Sequence, residues 1–453
     1  MDTKYFGTDG IRTEANTFPM TPDMALRIGQ AAGQVFRKMS PHARPTVVIG
    51  KDTRLSGYMF ESALQAGFTS VGFYCLQVGP LPTPAVAMLT RSLRADLGLM
   101  ITASHNPFQD NGIKLFTPDG IKLSKEKVLE IEHLIDNPSD IRLCKEDKIG
   151  RAVRLDDAVG RYIEFCKTSI PKEFGLHGMR IVVDCANGAA YRIAPKIFWE
   201  LGAQVVRIGV APDGLNINRN CGATSPEAMC RAVEQHGANL GIALDGDGDR
   251  LIMCDEHGNV IDGDQILAFV GAHMQEKNQL KGNGVVATVM SNMGLERFLE
   301  DKGMHLHRTK VGDHYVEAAM RENGYNLGGE SSGHLIFQDY ATTGDGILAA
   351  LQVLNVLRQQ GIPASKIGKS FQPWPLKMEN LIVPDGAKAA KVLEKASVKK
   401  AVEKAEKILG DEGRVILRKS GTEPLIRVTV EAQAEEQMLE QLGMITQAVE
   451  AAF

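Results

Sequence analysis

Three times in this chain a strand-like apolar run ends in a loop of glycine and small polar residues. LGLMI leads into TASHNP (102–107), NLGIAL into DGDGDR (245–250), and YNL into GGESSGH (328–334). Around each loop, further apolar runs alternate with amphipathic, helix-like stretches, which is the βαβ rhythm of α/β domains. One unit holds PTVVIG (45–50), a helix after Ser56 and LGLMITA (97–103). A second runs from MRIVVDCANGAA (179–190) through a helix near Ile193 to Leu201 and closes on NLGIALD (239–245). A third extends from Gly258 through VVATVM (285–290) to YNLGG (325–329) and a helix over 344–360. Ligands of open α/β sheets collect beyond the carboxyl ends of the strands, so the three loops are expected to converge on one cleft.

From Gln372 the pattern changes to NLIVP, one long Ala/Lys/Glu helix over 387–408, RVILRKS, LIRVTVEA and a final helix. That reads as a smaller α+β domain, with Pro363 and the Pro373–Pro375 segment marking the linker. The expected domains are 1–155, 156–256, 257–370 and 371–453, consistent with a 453-residue chain too long for one core. A net charge of −4 argues against a broadly nucleic-acid-binding surface. No apolar run is long enough to span a bilayer, and MDTKYFGTDGIR lacks a signal-peptide core, so a cytoplasmic protein without a membrane partner is expected. Seven cysteines without CxxC spacing are expected to be reduced and mostly buried.

DGDGDR places Asp245, Asp247 and Asp249 at alternate positions, with glycines that let the backbone curl around a small ion. Hard oxygen ligands favour Mg²⁺ or Ca²⁺. An EF-hand is the rival reading, disfavoured because Arg250 stands where that loop needs glycine and the lead-in is strand-like. RKSGTEP (418–424) joins Arg418, the hydroxyls of Ser420 and Thr422 and the amides around Gly421 into an anion nest, to which Arg427 adds a second guanidinium. GGESSGH offers Glu330 and Ser332 to grip sugar hydroxyls, with His334 to shuttle protons or orient a phosphate. Arg12 in FGTDGIR, Lys51 and Arg54 in GKDTRLSG, and Lys114 supply the cations that phosphoryl transfer at a serine needs. Ser104 and His105 are neighbours, but on an extended strand adjacent side chains point to opposite faces, which disfavours a hydrolase pair.

The four signatures TASHNP, DGDGDR, GGESSGH and RKSGTEP, in that order, resemble those of the α-D-phosphohexomutase superfamily. KYFGTDGIR, PDGLNINRNCG (212–222), KVGDHYV (310–316) and RKSGTEPLIRV are most similar to its bacterial members that act on glucosamine phosphates. The resemblance implies three similar mixed-sheet α/β domains and a C-terminal TATA-binding-protein-like α+β domain around a central cleft. It also implies interconversion of glucosamine 6-phosphate and glucosamine 1-phosphate through a 1,6-bisphosphate that serves as intermediate and primer, feeding UDP-N-acetylglucosamine and cell-wall precursor synthesis. Ser104 would carry the phosphoryl group and complete a Mg²⁺ site with Asp245, Asp247 and Asp249. Glu330 and Ser332 would bind the sugar, and Arg418, Ser420, Gly421, Thr422 and Arg427 the phosphate that is not reacting. Arg12, Lys114, Arg250 and His334 would surround the group in transit while His105 shapes the serine loop. A homodimer is implied. Ser331, His314 and Thr13 stand where that branch usually has Gln, Arg and Gly. The alternatives are a relative acting on glucose or mannose phosphates, a metal-dependent phosphatase, and a non-catalytic phosphosugar-binding protein.

Overall fold

The computed structural model describes residues 3–7, 9–383, 389–419 and 425–453. The first sheet holds β1 (Ile11–Glu14), β2 (Thr46–Lys51), β3 (Tyr74–Pro80), β4 (Leu97–Ile101), β5 (Asp110–Phe116) and β6 (Ala152–Arg154), in the order β1-β5-β4-β2-β3-β6. The second holds β7 (Arg180–Asp184), β8 (Gln204–Ile208), β9 (Leu240–Leu244), β10 (Leu251–Cys254) and β11 (Val260–Ile261), in the order β11-β10-β9-β7-β8. The third, β13-β12-β14-β15, is built from β12 (Gly284–Thr288), β13 (His305–Thr309), β14 (Leu327–Gly329) and β15 (Leu335–Phe337).

These sheets share one four-stranded motif. The orders β5-β4-β2-β3, β10-β9-β7-β8 and β15-β14-β12-β13 are equivalent: three parallel strands, then one antiparallel strand that returns from the loop after the late parallel strand. The late strands β4 and β9 are buried along their whole length, which is why they read as unbroken apolar runs. The three signature loops are therefore the turns of three equivalent hairpins.

The chain divides into two compact units, Met1–Met290 with Gly303–Ser370, and Ser291–Lys302 with Phe371–Phe453. The first contains all three sheets. The expected boundary at 256 falls inside a hairpin, because Met253 pairs with Ile261 and Cys254 with Val260. Within the expected third domain, residues 291–302 group with the C-terminal residues. Met293 N–H donates to Glu431 at 2.6 Å, Asn292 bonds the Trp374 backbone in both directions, and Arg297 donates to the Asp411 carbonyl at 2.9 Å.

In the second unit, β16 (Leu376–Ile382), β17 (Gly413–Lys419) and β18 (Leu425–Ala432) form an antiparallel sheet in the order β16-β18-β17. Val398, Ala405, Ile426, Val428, Leu442 and Ile445 lie in its core. The single helix expected over 387–408 is two helices, Ala389–Glu394 and Ala396–Leu409. Lys395 between them is extended (φ −63°, ψ 137°), and its ammonium bonds the Ala452 carbonyl. All seven cysteines are free, five of them buried. Among the described residues no helix is long and apolar enough to cross a membrane.

Candidate active site

β4 stops at Ile101, and Ser104 takes a left-handed backbone (φ 51°). The expectation that Ser104 and His105 face apart therefore fails. Off the strand, Ser104 Oγ and His105 Nδ1 lie 3.3 Å apart. Burial, with help from Arg250 and Arg12, pushes His105 down to about 4, so its ring is neutral at pH 7.

Ser104 Oγ donates to Asp245 Oδ2 at 2.7 Å, which joins the first hairpin to the second. Asp245, Asp247 and Asp249 each offer a carboxylate oxygen within 4.8 Å of the others, and all three residues are buried. The backbone allows this crowding only because residue 246 has no side chain: a Cβ there would lie 2.5 Å from the Ser104 carbonyl oxygen. Asp247 Oδ2 accepts from Thr83 Oγ1 at 2.6 Å and from Lys114 Nζ at 2.9 Å. Lys114 Nζ also lies 2.9 Å from Asp9 and 3.4 Å from Asp249. Burial works against the ammonium, but these carboxylates, Asp247 foremost, raise Lys114 well above the ordinary lysine range. Asp249 is likewise held well below the carboxylate range: burial opposes its charge, and Lys114, His334 and Arg250 outweigh that opposition.

The third hairpin closes on the second through the backbone. Leu251 N–H donates to Gly333 O at 2.9 Å, and Arg250 pairs with His334 as an isolated bridge. Gly333 (φ 91°) is required here, since a Cβ would sit 2.2 Å from the Leu251 carbonyl. His334 Nδ1 consequently lies 3.8 Å from Asp249 and its Nε2 3.8 Å from Asp313. Despite burial, Asp249 and Asp313 raise His334 to about 9, so it is a cation at neutral pH. Glu330 accepts from Gly312 N–H at 3.3 Å, and Ser332 Oγ lies 3.4 Å from its other oxygen. Burial disfavours the Arg250 charge, but Asp245, Asp249 and Glu330 raise it, so Glu330 lies within electrostatic reach of the metal loop.

Unmet hydrogen-bonding capacity in this pocket has both signs. Asp247 Oδ1 and Asp249 Oδ1 are buried acceptors without a donor, while Arg250 Nε and His334 Nε2 are buried nitrogens without an acceptor. Buried polar groups are nearly always satisfied. A divalent cation would satisfy the carboxylates and a phosphoryl group the nitrogens, so the residues present fit both together.

Several participants carry no signal of their own in the sequence. Asp9 lies between Arg12 (3.1 Å), Lys114 (2.9 Å) and Lys122 (2.8 Å). Those cations overcome its burial and hold its carboxyl far below the ordinary range. Lys122 also pairs with Asp313, which ties the first sheet to the helix Asp313–Asn323. Both aspartates stand in quoted motifs, FGTDGIR and KVGDHYV, where only spacing to a distant lysine would have marked them. Lys51 does not join the cations around Ser104 as expected, and Arg54 meets the backbone of the serine loop and not the serine hydroxyl. Lys51 pairs with Glu61 at 2.6 Å beneath the Tyr58 ring, and Arg54 is fully buried against backbone carbonyls.

In the C-terminal unit, Arg418 and Arg427 are cross-strand partners on β17 and β18. Partial burial, and then the neighbouring Arg427, lower the Arg418 pKa, a strain that an anion would relieve. Ser420, Gly421 and Thr422 lie outside the described residues.

Models of the phosphoglucomutase/phosphomannomutase domains match nearly the whole chain: alpha/beta/alpha domain I over 3–142, domain II over 160–258, domain III over 262–373 and the C-terminal domain over 378–448. The phosphoglucosamine mutase of Phenylobacterium zucineum is 58% identical over 95% of each chain. That of Rhodospirillum rubrum is 56% identical over 99% of this chain and 98% of its own. The fold is similar to a phosphoglucomutase/phosphomannomutase family protein from Burkholderia thailandensis (TM-score 0.83, 23% identity, 99% of this chain and 97% of that one). It is also similar to the N-acetylphosphoglucosamine mutase of Aspergillus fumigatus, solved with GlcNAc-6P and magnesium (TM-score 0.68, 19% identity, 100% and 96%). The chain belongs to the phosphoglucomutase/phosphomannomutase family of α-D-phosphohexomutases.

Proposed function

We propose that this chain is a phosphoglucosamine mutase that interconverts glucosamine 6-phosphate and glucosamine 1-phosphate through phospho-Ser104. The observation that carries the reading is the 2.7 Å contact of Ser104 Oγ with the three-aspartate cluster, in a pocket whose spare acceptors and donors call for a cation and a phosphoryl group together. Identity of 54–58% to full-length relatives named phosphoglucosamine mutase supports the choice of sugar.

In the first half-reaction the P–Oγ bond of phospho-Ser104 breaks and a bond from phosphorus to sugar O1 forms, giving glucosamine 1,6-bisphosphate. The hydroxyl proton leaves O1, and Oγ ends protonated. His105, a neutral ring 3.3 Å from Oγ, shapes the serine loop around that hydroxyl. Lys114, Arg12, Arg250 and charged His334 stabilise the equatorial oxygens as charge spreads over them. Asp245, Asp247 and Asp249 would hold a Mg²⁺, which would supply Lewis-acid withdrawal of charge from the phosphoserine. Glu330 and Ser332 bind sugar hydroxyls, and Arg418 and Arg427 take the phosphate at the other end. After the bisphosphate turns over, its O6–P bond breaks, phosphorus returns to Oγ and the Oγ proton goes to O6, leaving glucosamine 1-phosphate.

A coupled assay comparing glucosamine, glucose and mannose 6-phosphates tests this. The glucosamine ester is expected to give the highest kcat/KM, and Ser104→Ala to give neither phosphoprotein nor turnover. Normal turnover by Ser104→Ala, or release of inorganic phosphate as the main product, overturns the reading.

A further inference from the structure

Two of the quoted motifs, GKDTRLSG and PDGLNINRNCG, stay out of the reacting centre, yet both close on the backbone of the serine loop. Arg54 Nη2 donates to the carbonyls of Ser104 at 3.0 Å and Asn106 at 2.8 Å, and Nη1 to those of Asp110 at 3.0 Å and Pro107. Asp52 Oδ2 accepts from Arg54 Nε at 2.8 Å and from Thr102 Oγ1 at 2.7 Å, and Thr102 Oγ1 accepts the Ser104 N–H at 2.9 Å. From the second sheet's side, Asn218 Nδ2 donates to the same Ser104 and Asn106 carbonyls at 2.9 and 3.0 Å. The motifs are also tied to the neighbouring domain's loops, Thr53 Oγ1 to the Asn187 carbonyl at 2.5 Å and Leu55 N–H to Gly214 O at 3.0 Å.

The peptide groups flanking Ser104 are thus fixed on both sides, N–H by Thr102 and C=O by Arg54 and Asn218. Ser104 itself sits at a positive φ that serine adopts only when its surroundings impose it. Side chains from two domains anchor this one loop, although only Thr102, Ala103 and Ser104 of its six residues are buried. This anchoring fixes the direction of Oγ.

We infer that Asp52, Arg54, Thr102 and Asn218 are positioning residues that aim Ser104 Oγ at Asp245, with Asn218 making that aim depend on the second domain. This rests on the reading of Ser104 as the phosphoryl carrier. A support that only stabilised the fold would change the melting temperature and leave turnover per folded molecule alone. A positioning role changes kcat, because a displacement near 1 Å costs about 100-fold in rate.

The test uses the full-length enzyme with Asn218→Asp and Asn218→Gly, which both tolerate the φ of 58° at that position while losing the amide donor. Thr102→Val and Thr102→Ser form the second pair. Each is assayed for kcat and KM with glucosamine 6-phosphate, and by intact mass for the rate of Ser104 phosphorylation by glucose 1,6-bisphosphate. Both Asn218 variants and Thr102→Val are expected to lose about 10- to 100-fold in kcat and in phosphorylation rate with little change in KM. Thr102→Ser, which keeps the hydroxyl bridge, is expected to recover most of the loss. Folded Asn218 variants and Thr102→Val with wild-type kcat overturn the inference alone. A wild-type enzyme that never becomes phosphorylated at Ser104 overturns the proposed function, and this inference with it.

Discussion

Lys114 is the side chain whose removal tests the electrostatics of the pocket most directly. Its ammonium is buried and within 3.4 Å of Asp9, Asp247 and Asp249. At an effective dielectric of about 20, each contact near 2.9 Å is worth about 6 kcal/mol of Coulomb energy, much of it offset by the desolvation of the ions. Deleting one partner of a buried pair typically leaves a net loss of about 3–5 kcal/mol. Lys114→Met keeps the length of the stem and removes the charge, so the variant should lose about that much unfolding free energy in the presence of a chelator.

Magnesium should then separate the lysine's two roles. A ligand that binds only the folded protein stabilises it by about 2.7 kcal/mol at a hundredfold excess over Kd. With the neighbouring ammonium gone, the aspartates attract a divalent ion more strongly, so the Mg²⁺-induced gain should be larger in Lys114→Met than in the parent. Activity should not return with it, because the oxygens of the moving phosphoryl group still lack their ammonium; kcat should stay about 100- to 1000-fold down. Denaturant melts with chelator and with excess Mg²⁺, beside the coupled assay, measure all three quantities. Unchanged stability in chelator, or a smaller Mg²⁺ gain than the parent's, would refute the reasoning.

Asp345, which caps the helix Gly346–Gln360 and takes the Tyr162 hydroxyl at 2.8 Å, is pushed up to about 6 by burial. Between pH 4 and 6 the folded chain thus keeps a proton that the unfolded chain has lost, and stability falls as pH rises through that window. Asp345→Asn lacks this titration, so its stability relative to wild type should rise by about 3 kcal/mol from pH 4 to pH 7, read from denaturant melts; a pH-independent difference contradicts the assignment. Arg418→Ala should raise KM for glucosamine 6-phosphate at least tenfold while Ser104 is still phosphorylated by the bisphosphate, because it removes ground-state binding of the idle phosphate and leaves the serine pocket intact. Loss of Ser104 phosphorylation in that variant would assign Arg418 to the reacting end instead.

The parts of the fold legible in the sequence are those governed by local periodicity. β4, β9 and the helix Gly346–Gln360 follow from their apolar patterns, and the signature loops from glycine and carboxylate spacing. Asp9, Lys122 and Asp313 were not legible, because each takes its role from a partner on another element, 113 residues away from Asp9 to Lys122 and 191 from Lys122 to Asp313. Arg54 was misread for a related reason. A buried guanidinium donating to four carbonyls has the same sequence as one facing a phosphate, and only the path of the serine loop distinguishes them. The helix break at Lys395 and the transfer of 291–302 to the C-terminal unit depend on contacts with the far end of the chain, which local propensity does not encode.

The grouping of three sheets into one unit has an electrostatic cause. The second hairpin carries Asp245, Asp247 and Asp249 in a buried cluster that it cannot neutralise alone. Arg250 of the same hairpin offsets part of that charge, and further cations come from elsewhere, Lys114 on the first sheet and His334 on the third, while Lys122 spans from Asp9 to Asp313. If the first or third sheet swung away, the pairs of Lys114 and His334 with these carboxylates would be lost. The backbone bond from Leu251 to Gly333 and the contacts of Thr83 with Asp247 close the same ring with hydrogen bonds. The charges gathered around Ser104 are therefore also the charges that tie these three sheets together. Mutations of the pocket cations should accordingly loosen the domain packing as well as slow the chemistry.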